Sequence, residues 1–133
     1  MERHDQHLLW TQALENYQAA ILTAQHGWHN VSVACSYYAV FTAMWAALGD
    51  PPRRYWEHRG IVDHFAFGQW QTPPVPLARD VVRAIRNLYT TRLSAHYQAV
   101  TLTVVVSTAS LTTASRVLRL VADVVGLPQE RLL

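Results

Sequence analysis

Residues 31–48 read VSVACSYYAVFTAMWAAL and contain no charged side chain. Such a stretch is apolar on nearly every side of a helix, so it predicts a central helix covered by several neighbours or by a second subunit. Gly49 and the two prolines after Asp50 end that helix. A membrane span is the alternative on length. Polar residues dilute the stretch, however, and its flanks lack basic and aromatic anchors in the right arrangement, so we expect no membrane partner.

The sequence on either side of this stretch predicts further helices. His4–Gln25 carries apolar residues at helical spacing on one side, and Leu77–Tyr97 reads as a third long helix. Between them, Ile61–Phe67 is compatible with a short helix packed under a loop, and a proline-rich turn follows it. The pattern therefore predicts helices of unequal length around the uncharged central one.

The caps and the last helix are predicted from single residues. Asn30 is placed to cap the central helix, and Ser107 or Ser110 to cap a last helix that runs to about Val125. Val100–Val106 has strand propensity, but it has no second strand to pair with, so it is an extended connector or a helix extension. We predict an all-α fold, an up-and-down bundle of four to five helices, with residues 1–133 forming a single domain.

Composition limits the class of protein. The chain has 133 residues, of which 50% are hydrophobic, and a single cysteine, so it can build a core without disulfides. The polar N-terminus lacks a signal-type apolar run, so we expect a cytoplasmic protein. All basic residues are arginine, and seven of them lie from Arg53 to Arg92 against three acidic residues. That excess is either a nucleic-acid footprint or ordinary solvated surface, and we favour solvated surface.

Three stretches, in this order, carry a resemblance to a known family. They are ACSYYAVFTA at 34–43, EHRGIVDHF at 57–65 before the proline-rich turn, and IRNLYTTRLSAHY at 85–97 before a connector and a last helix. This pattern resembles the HEPN family, small helical bundles of prokaryotic toxin–antitoxin and nucleotidyltransferase-associated systems. The resemblance covers roughly residues 30–126. It implies a likeness in fold, a homodimer, and a nucleotidyltransferase or antitoxin partner.

The resemblance also nominates a catalytic pair, Arg92 and His96. In catalytic members the third long helix ends in an arginine, four to six intervening residues and a histidine, whereas here three residues intervene. A non-catalytic branch has an arginine followed by Ala-Asp-Tyr, and this sequence has His96 where that branch has aspartate. Metal-independent RNA cleavage would use His96 as acid and base and Arg92 to hold the charged phosphate. The sequence lies between the two patterns.

Helical spacing places Arg92 and His96 on one stripe with the apolar residues of the same helix. Arg79, Arg83 and Arg86 fall on roughly the opposite side, as a solvated basic ridge. A bare charge on the apolar side is costly, so Arg92 needs a carboxylate, a carbonyl, a subunit interface or a phosphate. The structural alternative is that Arg92 locks the bundle or the dimer, with His96 an interfacial histidine whose ring is hydrogen-bonded.

Several other side chains are weighed for binding. His58 and His64 lie near acidic residues, but their spacing and the absence of a cysteine argue against a metal, so we expect no metal site and no cofactor. Cys35, on the uncharged helix, is expected to be an inert buried thiol. The residues nominated for binding are Tyr37, Tyr38, Tyr97 and Arg86. For the two adjacent tyrosines, packing with hydroxyls bonded to backbone is the alternative.

Two functions follow as expectations. The first is a non-catalytic or weakly catalytic interaction module that forms a homodimer in a toxin–antitoxin or nucleotidyltransferase-associated system. The alternative is a metal-independent endoribonuclease toxin that uses Arg92 and His96 on RNA. A small-ligand protein is a third reading for which the sequence offers no selective feature.

Overall fold

The computed structural model describes residues 1–132, and these residues form helices joined by short connections. The helices are α1 (Arg3–Gln25), α2 (His29–Leu48), α3 (His58–Phe67), α4 (Arg79–Tyr97) and α5 (Val104–Val125), followed by a 3₁₀ turn at Glu130–Leu132. No strand occurs among residues 1–132. The predicted all-α class is therefore confirmed.

Helix α2 is the centre of the bundle and packs against α1, α3, α4 and α5. Its apolar residues are buried on several sides, and Ala39 and Ala43 allow neighbouring helices to approach closely. The hydroxyl of buried Ser32 donates to the carbonyl of Ala20 in α1 at 2.7 Å. By length and composition α2 and α5 could each span a membrane. For α2, the four helices around it account for the missing charges.

Asn30 does not cap α2, because the helix begins one residue earlier, at His29. Its side chain instead holds the connector between α4 and α5. The Asn30 amide donates to the carbonyl of Val100 at 2.8 Å, and its oxygen accepts from the backbone N–H of Leu102 at 2.8 Å. The connector lacks regular backbone hydrogen bonds of its own. The Asn30 side chain satisfies two of its backbone groups, which a capping role at α2 would leave without this partner.

The predicted caps Ser107 and Ser110 also lie inside a helix, because α5 begins at Val104. The hydroxyl of Ser107 lies 2.8 Å from Nδ1 of His29, and that of Ser110 donates to the carbonyl of Val106 at 2.9 Å. The Val/Thr run is therefore divided. Residues 100–103 form an irregular connector, and the valines from 104 onwards form the first turn of α5.

The segment around α3 is held by tryptophans. Trp56 is buried and its indole N–H donates to the carbonyl of Gly49 at 3.0 Å, which fixes the α2–α3 connector. After α3, Trp70 stacks on Phe65 with ring centroids 4.8 Å apart. Gly68 ends α3 at φ 71°, and a Cβ there would lie 1.7 Å from the carbonyl oxygen of Val75, so the turn requires glycine. Helix α3 begins at His58 rather than at the predicted position 61.

Candidate functional site

An aromatic cluster lies where α2, α3 and α4 meet, with Tyr37 at its centre. Tyr37 is buried, at 6% exposure. Its ring centroid lies 5.4 Å from that of Tyr38, 5.6 Å from His58 and 5.5 Å from Tyr89. We call these four residues and Arg92 the arginine–aromatic cluster. It joins residues of three helices that are far apart in the sequence.

Arg92 closes this cluster from α4. Its guanidinium carbon lies 5.0 Å from the ring centroids of both Tyr37 and Tyr38, which is the geometry of a cation–π contact. Its Nη2 donates to the hydroxyl of Tyr38 at 2.5 Å. No carboxylate pairs with Arg92 among the described residues. A charge on the apolar side of α4 needs a partner. For Arg92 that partner is a pair of aromatic rings and one hydroxyl.

His58, the first residue of α3, also contacts Tyr37. Its ring stacks on Tyr89, with centroids 3.3 Å apart and planes inclined by 14°, and its Nδ1 lies 3.2 Å from the Tyr37 hydroxyl. Burial, reinforced by the positive charges of Arg86 and Arg92, lowers the pKa of His58 to about 4. The imidazole is therefore neutral near pH 7.

Burial raises the pKa of Tyr37 to about 12 despite the opposing effect of Arg92, so its hydroxyl keeps its proton even further above neutral pH than an ordinary tyrosine. Its hydroxyl meets the ring nitrogen of His58 rather than a backbone group. That differs from the structural alternative, in which the tyrosine hydroxyls bond to backbone. The cluster is a neutral aromatic body that carries a single permanent cation.

The other nominated residues lie in different surroundings. Arg86 donates to Asp63 of α3 at 2.9 Å, and both side chains are about half exposed. His96 and Tyr97 are exposed at the end of α4, and their rings contact each other at 4.7 Å. The structure thus brings together Arg92, Tyr37 and Tyr38, and it leaves His96 and Tyr97 outside the cluster.

His96 lies on the apolar stripe of α4, yet its side chain is exposed in a single copy of the chain. Residues 96–101 are all exposed, so no described residue buries the side chains from His96 into the connector. Arg92, one turn earlier, is half-buried because the rings of Tyr37 and Tyr38 lie beneath it. Helical spacing predicts that both side chains point the same way. It does not predict how far along α4 a neighbouring helix covers them.

His58 and Tyr89 are the cluster members that sequence reasoning did not nominate for this site. His58 was weighed only as a metal ligand with His64, but the two rings have separate partners. His64 lies edge-on to Trp56 at 5.2 Å, whereas His58 stacks in the cluster. No group of three metal-ligating side chains lies together within residues 1–132. No local pattern marks His58, because its neighbours come from α2 and α4.

Cys35 lies on α2 and is partly exposed. Burial of the thiol raises its pKa, so the thiolate is scarce near neutral pH. Low reactivity of this cysteine was expected, and the direction of the pKa shift agrees with it. Its side chain is less buried than the sequence predicted.

Comparison with known protein families identifies the family of this chain. The sequence profile of the HEPN domain family covers residues 6–127. No curated protein matches the chain. The matched residues include the whole of α2, α3, α4 and α5, and with them the arginine–aromatic cluster.

Proposed function

The chain belongs to the HEPN domain family, and we propose that it is a non-catalytic interaction module that works as a homodimer. The observation that carries this proposal is the arrangement of Arg92. Its guanidinium lies over two tyrosine rings and bonds to one of their hydroxyls, so it joins α4 to α2. An arginine held in this way stabilises the bundle without any substrate.

The chemistry around Arg92 supports a structural role. General acid–base catalysis works best when the catalytic pKa lies near the working pH. The pKa of His58 is about 4 and that of Tyr37 about 12. Neither group is well suited to exchange a proton near pH 7, so the two residues beside Arg92 in the cluster are poor partners for it in RNA cleavage.

The position of His96 supports the same conclusion. A catalytic base is normally oriented by a third group that bonds its second nitrogen. His96 is exposed. Among the described residues its ring contacts only the ring of Tyr97, the next residue in the chain. Within one copy of the chain, nothing described orients its imidazole toward Arg92.

The homodimer is proposed from the apolar surface at one end of the bundle. We call Val31, Val100, Val104 and Val105 the valine rim. Their exposed fractions are 49%, 41%, 61% and 74%. The bonds of Asn30 to the connector and of His29 to Ser107 bring the three segments that carry these valines together. Exposed apolar patches of this kind mark protein–protein contacts.

The valine rim continues toward Arg92 along α2. Val31 and Tyr38 are seven residues apart, two helical turns, so they lie on the same face of α2. Tyr38 is 43% exposed and bonds to Arg92. A second copy seated on the valine rim would therefore also approach Tyr38 and Arg92. A dimer that covers this face buries apolar surface and leaves the inner rings of the cluster undisturbed.

Sedimentation equilibrium of the full chain tests this proposal. We expect a dimer whose dissociation constant rises at least tenfold in Val105→Asp, because a carboxylate on the valine rim cannot be desolvated against a second copy. Val124→Asp is the matched control, since it places the same charge on an exposed valine at the other end of α5. A wild-type monomer at high concentration, or equal effects of both variants, would contradict the proposal.

A protein partner is a further part of the proposal, and it is tested separately. We propose a nucleotidyltransferase or antitoxin encoded beside this protein, bound by the homodimer in the cytoplasm. Co-expression of the chain with such a neighbouring product, followed by size-exclusion chromatography, should give one complex that contains both proteins. Separate elution of two folded proteins would leave the homodimer as the whole of the interaction.

A metal-independent endoribonuclease is the second candidate, and one observation favours it. Arg92 donates a single hydrogen bond among the described residues, although a guanidinium has five N–H donors. The remaining donors are free to hold phosphate oxygens if His96 of a second copy comes near. His96 would then take the proton of the ribose 2′-hydroxyl and return a proton to the leaving 5′-oxygen. Cleavage of RNA separates the two candidates.

A further inference from the structure

A cavity of about 530 Å³ opens where the α2–α3 connector folds over the first turn of α3. Cavities that hold small molecules usually have volumes of about 300–1,000 Å³. The residues that line it are Pro52, Arg53, Arg54, Tyr55, Trp56, Glu57, Gly60 and His64. No residue of the arginine–aromatic cluster or of the valine rim is among them, so this cavity is separate from the surface assigned above.

One wall of the cavity is aromatic and fixed. Trp56 is 9% exposed, its N–H bonds to the carbonyl of Gly49, and its ring meets His64 edge-on at 5.2 Å. Tyr55 adds a second ring that is 65% exposed. Because Trp56 is already anchored, a flat ligand can contact the part of it that lines the cavity without first ordering the wall, which lowers the entropic cost of binding.

The charged lining favours an anion. Arg53 and Arg54 both line the cavity, and neither takes part in an ion pair among residues 1–132. Glu57 is the one carboxylate in the lining, so the two guanidinium groups leave an excess of positive charge. Guanidinium groups bind carboxylate and phosphate oxygens in pairs, which suits a single anionic group at the cavity mouth.

His64 supplies a further polar atom. Its Nδ1 lies 2.8 Å from the carbonyl oxygen of Gly60. A carbonyl can only accept, so Nδ1 carries the hydrogen. In the tautomer that carries this hydrogen, Nε2 is the ring nitrogen left to accept from a donor on a ligand.

Gly60 keeps the cavity open. It lies in the first turn of α3, and a Cβ built there meets no atom within 4 Å. Neither packing nor an unusual backbone angle requires glycine at this position, although glycine in a helix costs about 1 kcal/mol relative to alanine. A larger side chain at position 60 would project into the cavity that Gly60 lines.

We propose that this cavity binds a small planar aromatic anion. The aromatic body lies against Trp56 and Tyr55, and the anionic group meets Arg53 and Arg54. The chemistry is shared by aromatic carboxylates and aromatic phosphates, and the two sources are distinguished by experiment.

Isothermal titration calorimetry of the full chain with 2-naphthoate and 1-naphthyl phosphate tests this proposal. We expect at least one of them to bind with one site per chain. The neutral 2-naphthol lacks the anionic group, and inorganic phosphate lacks the aromatic rings. Each should therefore bind at least tenfold more weakly. The tighter of the two anions identifies the anionic group. If inorganic phosphate binds as tightly as the naphthyl anions, the aromatic part of the proposal is wrong.

Variants locate the site. Gly60→Leu should weaken binding at least tenfold by filling the cavity, and so should the double variant Arg53→Ala/Arg54→Ala by removing its charge. Arg59→Ala is the matched control, an exposed arginine beside Gly60 that does not line the cavity, and it should change affinity less than twofold. Thermal melts check the fold of each variant. Absence of binding by the wild type, or wild-type affinity in a folded Gly60→Leu or double-arginine variant, overturns the proposal.

Discussion

Arg92 and His96 are one helical turn apart on α4, yet their surroundings differ completely. Arg92 lies over two tyrosine rings and bonds to a hydroxyl of α2, whereas His96 is exposed and its ring contacts, among residues 1–132, only the ring of its neighbour Tyr97. The difference teaches that the apolar side of a helix is buried only where another helix packs against it. Of the nominated pair, one residue is thus built into the bundle, and the other is free for a partner.

The largest effect should come from the centre of the arginine–aromatic cluster. Tyr37→Ala removes a buried ring that contacts Tyr38, His58 and Tyr89, so we expect a loss of about 3–5 kcal/mol in the free energy of unfolding. Urea denaturation followed by circular dichroism measures it. A loss below about 1 kcal/mol would mean that the cluster does not hold the three helices together.

The comparison itself is sharpened by two matched substitutions on α4. Arg92→Ala removes two cation–π contacts and a hydrogen bond, so it should lower the free energy of unfolding by about 2 kcal/mol. His96→Ala removes an exposed ring and should change it by less than about 0.5 kcal/mol. Equal losses in the same denaturation experiment would break the distinction between the two residues.

Acid should destabilise the protein through His58. Its pKa is about 4 in the fold against an ordinary value of 6.5, so the unfolded chain takes up this proton first as the pH falls. The contribution of neutral His58 to the free energy of unfolding should therefore be fully present above about pH 6.5 and be lost as the pH falls toward 4. We expect a decline of about 1 kcal/mol, because partial exposure screens the effect. Melting temperatures of wild type and His58→Phe across this range should diverge, and parallel curves would contradict the assignment.

Within the arginine–aromatic cluster, the smallest effect is expected for Tyr38→Phe, which keeps the ring beneath Arg92 and removes only the hydroxyl. The exposed position of Tyr38 limits the lost hydrogen bond to about 0.5–1 kcal/mol. The same denaturation assay applies. A loss as large as that of Arg92→Ala would show that the hydroxyl, and not the rings, holds the arginine.

The helices could be predicted from the sequence, but the side chains that bond one helix or connector to another could not. The uncharged run at 31–48 and the spacing in His4–Gln25 correctly predicted α2 and α1, because helix burial repeats along the chain. Asn30 and Ser107 were wrongly predicted as caps. Each found a tertiary partner instead, the connector for Asn30 and His29 for Ser107, and no local rule anticipates such a partner.

The candidate site was predictable in part for the same reason. The resemblance to the HEPN family drew attention to Arg92 and to the adjacent tyrosines of α2, and helical spacing placed Arg92 on the apolar side of its helix. His58 did not, because its place in the cluster depends on how the α2–α3 connector brings the start of α3 against Tyr37 and Tyr89. The perturbed pKa of His58 is likewise a property of that packing and not of its neighbours in sequence.

The most direct test of the non-catalytic assignment is incubation of the purified wild-type chain with total RNA, with and without EDTA. His96→Ala and Arg92→Ala are treated in parallel, and circular dichroism establishes that each protein is folded. We expect no cleavage by the folded wild type above the level of either variant. EDTA-resistant cleavage that disappears in folded His96→Ala would contradict this account and assign the chain to the metal-independent ribonucleases.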